Sequence, residues 1–168
     1  REIILLEFSS SIMSLILAGK VGSNIASEIG TMRVTEQIDA MEIMGVNSAN
    51  FLILPKIVGL MVFIPVLVIF SMFTGILGGI AASHSTGTGM TPASFEYGLQ
   101  FYFNDFYIWY SIIKSVVYAF IISSIAAYFG YNVKGGALDV GKASTNAVVM
   151  SSIMILLADV ILTNLMLT

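Results

Sequence analysis

Residues 28–45, EIGTMRVTEQIDAMEIMG, decide how this chain is read. Glu28, Arg33, Glu36, Asp39 and Glu42, with Lys20 just before them, make up six of the seventeen formally charged residues, and long apolar runs lie on either side. Thr35 is placed to cap a helix, with Glu36 and Asp39 supplying negative charge to its first turn, where the macrodipole favours it. Val34, Ile38 and Met41 fall at i, i+4 and i+7 and form an apolar stripe, with Glu36, Asp39 and Glu42 on another side. Gly45 suits the residue after the helix, with Val46 folding back on Met41 in a Schellman motif. Two readings fit: a short cytoplasmic helix pressed against a soluble partner, or a solvated helix with no partner.

The flanking composition sets the class. Hydrophobic residues make up 57% of the chain and charged residues 10%, against about 25% charged in a soluble domain, so the chain reads as a membrane protein. A net charge of −3 gives no support for nucleic-acid binding. With no cysteine and a single histidine, disulfides, thiolate metal sites and a histidine-based metal centre are not expected. The apolar N-terminal run carries Glu2 and Glu7 and shows no small-residue cleavage site, so it does not read as a cleavable signal peptide.

The pattern predicts an all-α polytopic fold in one transmembrane domain, residues 1–168, with four transmembrane helices near 3–19, 52–83, 107–131 and 144–167. Lys20 ends the first, and Ala18, Gly19 and Gly22 would let helices pack closely there. The second has no charge between Lys56 and His84; Pro65 can bend it, and Gly75 and Gly79 offer a close-packing face. Residues 84–105 form an outer connector. Thr91 and Pro92 are placed to start a short helix there, and Phe95, Tyr97, Phe101, Tyr102, Phe103, Phe106, Tyr107, Trp109 and Tyr110 crowd one membrane boundary. Residues 132–142 read as a polar turn with Gly135, Gly136 and Gly141.

Lys20, Arg33, Lys56, Lys134 and Lys142 fall on one side, which places residues 28–45 in the cytoplasm and the C-terminus and aromatic connector outside. Glu7, Lys114 and Asp159 lie within spans, where ionisable groups are costly and either pair or line a wet cavity. At the helical rise they sit roughly 20, 30 and 25 Å from the cytoplasmic boundary, so all three can meet in the outer half. A static pair that orients helices and a polar gate beneath an outward-opening site both fit. Leu6 and Phe8, beside Glu7, join the three as candidate lipid-binding or gating residues. A lone His84 between serines in a Gly/Thr-rich loop has no partner for catalysis, and GGALDVG lacks the Lys-Ser/Thr of a phosphate-binding loop, so ATP is not expected on this chain.

AGKVGSNIASEIGTMRVTEQIDAMEIMGVN (residues 18–47) resembles the signature of the MlaE/YrbE-type permeases, the membrane subunits of ABC transporters that move lipids with MCE-domain partners. The likeness continues through FLILPKIVGLMV, KGGALDVGKASTNAVV and DVILTNLM. Members are longer at the N-terminus by a membrane helix and an interfacial helix, so the chain is expected to lack that part. The resemblance implies a multi-pass, non-catalytic subunit of the bacterial inner membrane that moves phospholipid and maintains outer-membrane asymmetry, with its C-terminus in the periplasm. It implies four partners: a cytoplasmic ABC ATPase that hydrolyses the ATP, a second copy of the chain, a periplasmic MCE-domain protein, and phospholipid between the copies. The ATPase would meet Thr31, Arg33, Thr35, Glu36, Gln37, Asp39, Met41, Glu42 and Gly45. The competing readings are an ion-coupled transporter or channel using Glu7, Lys114 and Asp159 as a relay, and a membrane-embedded lipid-modifying enzyme.

Overall fold

The computed structural model describes residues 4–85, 93, 97–98, 100–101 and 105–167, with backbone alone for residues 4–6, 85 and 167. Every regular element among them is helical. A first rod, α1, runs unbroken over residues 4–34; Ile4–Ile12 and Ala18–Gly22 are wound as π-helix, Met13–Leu17 and Ser23–Val34 as α-helix. It is followed by the short α2 (Gln37–Ile43), the long α3 (Ser48–Ser85), α4 (Asp105–Tyr131) and α5 (Ala137–Leu167).

Helix α4 is the axis of the packing. Tyr110, Lys114, Tyr118, Ile122, Ala126 and Gly130 recur every fourth residue and are all buried, so one continuous ridge faces the other helices. At one end Tyr118, Ala119 and Ile122 pack with Leu17, Ile64 and Ile155; at the other Ala126 and Ala127 pack with Ala26, Ile29 and Ile38. The closest approach is at Gly130, where an added Cβ would lie 2.8 Å from the Ala26 carbonyl oxygen. Small residues at this crossing let α1 and α4 touch by their backbones. Gly22 shares in it, with Ile122 at 3.5 Å from its Cβ position, whereas Gly19 and Gly78 face open space and Gly75 and Gly79 are half-buried.

The outer faces of α3 and α5 are apolar and open: Phe63, Phe70 and Phe73 on one, Leu156, Val160 and Leu165 on the other. A water-soluble protein rarely exposes apolar surface on this scale, so these faces belong against lipid or other apolar helices. Among the described residues, three helices are long and apolar enough to cross a membrane, over Ser48–His84, Asp105–Tyr131 and Ala137–Met166. The expected first crossing, 3–19, lies in α1, which is not among these three.

Several boundaries differ from the sequence reading. Lys20 does not end the first helix, because an exposed lysine on the rod's surface keeps its ammonium in contact with polar surroundings while its stem supports helix. The polar turn closes sooner than 132–142: Gly135 takes φ +129°, a region L side chains rarely adopt, and Asp139 and Val140 donate back to the Gly136 carbonyl to start α5 at Ala137. Pro55 and Pro65 lie inside α3 without ending it. Of the connector, Thr91, Pro92, Phe95, Tyr102 and Phe103 lie outside the described residues. The Tyr97 and Phe101 rings sit 4.8 Å apart, and Phe106 stacks on Tyr110.

Candidate functional site

Two polar clusters interrupt the apolar bundle, and α4 carries a member of each. The first gathers the three ionisable residues expected to meet. Lys114 is wholly enclosed; its ammonium lies 3.1 Å from both Glu7 carboxylate oxygens and makes an ion pair with Asp159. Three elements supply the charges: the π-helical start of α1, the buried ridge of α4, and α5. Glu7 is 40% exposed and Asp159 21%, so the ammonium is internal and the carboxylates form the accessible edge.

Neutral groups complete this cluster. The Tyr118 hydroxyl donates to Asp159 over 2.6 Å. The Ser11 hydroxyl stands 3.0 Å from Glu7 and 3.1 Å from Asp159, and its single proton serves one carboxylate at a time. The Lys114 ammonium lies 4.9 Å from the centre of the Tyr110 ring, within cation–π range, and the Tyr110 hydroxyl is 2.9 Å from Thr163. The sequence reading missed Ser11, Tyr118 and Thr163, and it placed Tyr110 among the aromatics of a membrane boundary, whereas Tyr110 is buried against Lys114. Helical spacing held the signal: Tyr110, Lys114 and Tyr118 are four apart, as are Glu7 and Ser11, and Asp159 and Thr163. Phe8 is exposed beside Glu7, while the Leu6 side chain lies outside those described.

The second cluster is built around residues 28–45. Thr35 does not cap α2: it closes α1, its hydroxyl donating to the Thr31 carbonyl, and Glu36 turns the corner at φ +61°. That left-handed conformation is uncommon in a residue other than glycine, and the sequence gives no sign of it. Val34 therefore belongs to α1, and the apolar stripe divides: Ile38 is fully buried, Met41 is half-buried, and Ile43 and Met44, not singled out from sequence, are 87% and 71% exposed. The Schellman motif at Gly45 is present, with Val46 donating to Met41 and Gly45 to Glu42, each over 3.0 Å, at φ +80°.

Of the residues expected to meet a partner, Thr31, Thr35, Glu36, Gln37, Asp39, Glu42 and Gly45 are exposed, and Arg33 and Met41 are half-buried. Arg33 donates to Asp39 over 2.9 Å and lies over the Tyr131 ring, 5.4 Å from its centre. Glu42 turns inward despite its exposure. One of its oxygens accepts from Tyr131 over 2.9 Å and from Ser48 over 3.0 Å. Hydrogen bonds from Tyr131 and then Ser48, aided by Arg33, hold its carboxyl below the ordinary value. The carboxylate thus helps the fold above the ordinary carboxylate range, and that help is lost as pH falls through the lowered value. Lys56 pairs with Glu28 and ties α3 to α1.

The Permease MlaE family profile matches residues 1–165. A probable ABC transporter permease protein of Rickettsia bellii is 37% identical over 164 residues, which are 95% of this chain and 61% of the relative. A probable ABC transporter permease protein of Synechocystis is 34% identical over 160 residues, 95% of this chain and 60% of the relative. An Arabidopsis thaliana protein named TRIGALACTOSYLDIACYLGLYCEROL 1, chloroplastic, is 32% identical over 158 residues, 94% of this chain and 45% of its own length. The chain thus spans no more than 61% of the length of any of these three relatives.

Proposed function

This chain belongs to the MlaE permease family, and from that premise we propose that it is the membrane subunit of an ABC transporter that moves phospholipid. In this reading it exchanges lipid between the bacterial inner membrane and an MCE-domain partner in the periplasm, and so maintains outer-membrane asymmetry. The family match over residues 1–165 carries the proposal, and the lipid in the plant relative's name agrees with it. ATP is hydrolysed by a separate cytoplasmic ATPase, which docks on the corner formed by the end of α1 and α2. The exposed Ile43 and Met44 supply apolar area there and the charges of Glu36 and Asp39 supply complementarity.

The first half of α1 makes a fourth crossing alongside α3, α4 and α5, and the C-terminus lies in the periplasm. Few helices enclose a two-tailed lipid, so two copies form the cavity, as a symmetric pair. The Glu7–Lys114–Asp159 cluster lies toward its outer end as a polar gate. That two carboxylates share one ammonium also suits an ion relay, so the second reading is a secondary transporter or channel.

Reconstitution separates the two. The full-length chain with its ATPase, in phosphatidylethanolamine/phosphatidylglycerol vesicles, should move phospholipid only with ATP, and a photo-crosslinker at Phe8 should capture lipid more than one at Ile57. Ion flux without ATP, or equal capture at both depths, would replace the first reading with the second.

A further inference from the structure

Tyr131 is the last residue of α4, and three other elements converge on it. Glu42 reaches it from α2, Ser48 from the first turn of α3 and Arg33 from the last turn of α1. The Tyr131 and Ser48 hydroxyl oxygens lie 3.0 Å apart, and both bond the same Glu42 oxygen, so the three groups close a triangle across three helices. Ser48 is buried, which shields that triangle on one side. The ring packs against the cluster of Ile29, Ile38 and Ala127 while its edge borders open space. A cavity of about 370 Å³ lined by Glu42, Gly45, Val46, Asn47 and Ser48 lies on one side. A more apolar one of about 330 Å³, lined in part by Ile53, Ile57 and Tyr128, also borders Tyr131. Apolar packing places the ring, and polar bonds fix its hydroxyl.

Helix α2 is only seven residues long and is bounded by two left-handed corners, Glu36 at φ +61° and Gly45 at φ +80°. It is attached by the buried Ile38, which is directionless, by the exposed Asp39 pair with Arg33 of α1, and by the Glu42 carboxylate, whose directional bonds reach α3 and α4. The Glu42 bond ends on the same helix that holds Lys114, seventeen residues away and about 25 Å along the axis. A helix of that length carries a push along its axis without a break.

We propose that Tyr131 is a positioning residue: through the Glu42–Tyr131–Ser48 triangle it passes displacement of α2 to α4 and so to the Lys114 cluster. The idea rests on α2 being the ATPase contact. Tyr131→Phe keeps the ring under Arg33 and removes only the bridging hydroxyl. In the full complex in phosphatidylethanolamine/phosphatidylglycerol vesicles, complex recovery and ATP hydrolysis should stay near wild type. Phospholipid moved per ATP should fall about tenfold, the factor set by losing about 1.4 kcal/mol of bonding.

Glu42→Gln, which keeps an acceptor oxygen, should retain coupling, and Glu42→Ala should lose it. Unchanged transport per ATP in Tyr131→Phe overturns the proposal, as does loss of ATP hydrolysis in step with transport. A spin-label pair at Gln37 and Tyr128 tests the joint independently of what is transported. The distance should be narrow in the otherwise unaltered chain and broadened by Tyr131→Phe. An unbroadened distance overturns the joint even if the complex moves no phospholipid, whereas a wild-type complex that consumes no ATP overturns the function and leaves the spin-label result standing.

Discussion

The two polar clusters carry similar groups but differ in surroundings. Around Lys114 the ammonium is sealed inside the bundle and faces two carboxylates, one of which also accepts from the Tyr118 hydroxyl and lies within reach of Ser11. Around Arg33 the pair with Asp39 is 33% and 51% exposed and lies at a corner between helices. Taking a charge out of water costs several kcal/mol and is recovered only if every partner stays in place, whereas an exposed pair is solvated whether or not it forms. The inner cluster is therefore rigid and intolerant of loss, and the corner is adaptable. A transporter needs both: a surface that tolerates a moving partner, and an inner site whose charges stay aligned.

The comparison is tested most severely at Lys114. Lys114→Ala leaves Glu7 and Asp159 without their cation; because both carboxylates keep some solvent, the loss of folded protein should fall below the ~3–5 kcal/mol of a fully buried pair, read as a drop in the thermal midpoint of the detergent-solubilised permease. Replacing all three charges together, Glu7→Gln with Lys114→Met and Asp159→Asn, keeps the shapes and removes the imbalance. That triple variant should recover much of the stability but not lipid transport. Wild-type transport by the triple variant would reduce the cluster to a helix-orienting device, and a neutral Lys114→Ala would remove the contrast with the corner.

The two regions were not equally legible in the sequence. Charges inside apolar runs are rare enough that Glu7, Lys114 and Asp159 stood out, and the helical rise brought them to a common depth. Their neutral partners did not stand out, because Ser11 and Tyr118 are ordinary residues in a membrane helix until two other helices are set against them. At the corner the C-terminal cap was legible because glycine at Gly45 has a local reason. The start was not, because Thr35 satisfies the chemistry of an N-cap and is used instead to close α1. Glu42 looked like one more surface carboxylate, since nothing local says that Tyr131, 89 positions on, will bond it. Local chemistry announces caps and buried charges, while long-range partners depend on the packing of α4.

That packing gives a test of intermediate size between the two clusters. Gly130 is one residue from Tyr131, and an alanine Cβ there would meet the Ala26 carbonyl oxygen at 2.8 Å and Ile29 Cβ at 3.0 Å. Both neighbours belong to α1 and one is backbone, so the helices must part. Gly130→Ala should cost about 1–3 kcal/mol. Gly78→Ala, where nothing lies within 4 Å, should be neutral or gain up to about 1 kcal/mol from helix propensity. Equal thermal midpoints for the two variants would mean that α1 and α4 do not meet at Gly130, and the two clusters would lose their common axis.

The smallest effect on folding is expected at the corner itself, and there stability and binding should separate. Asp39→Asn breaks the Arg33 pair and should cost only about 0.2–1 kcal/mol, because both groups remain hydrated. That cost should shrink further as salt rises and the Debye length shortens to about 3 Å at 1 M. The same salt should leave the enclosed Lys114 cluster almost unaffected, since no counter-ion reaches the buried ammonium. Charge reversal at Glu36 and Asp39, Glu36→Lys with Asp39→Lys, should likewise change the permease's thermal midpoint little: among the described residues both are exposed, and the Asp39 bond to Arg33 lies in that hydrated corner. What it should change is recovery of the ATPase with the permease, because like charges set against a partner repel at the encounter. Full recovery of the ATPase with this double variant would remove the corner as the docking site. A fall in stability as large as that of Lys114→Ala would show that the corner is as tightly built as the inner cluster, and the contrast between them would fail.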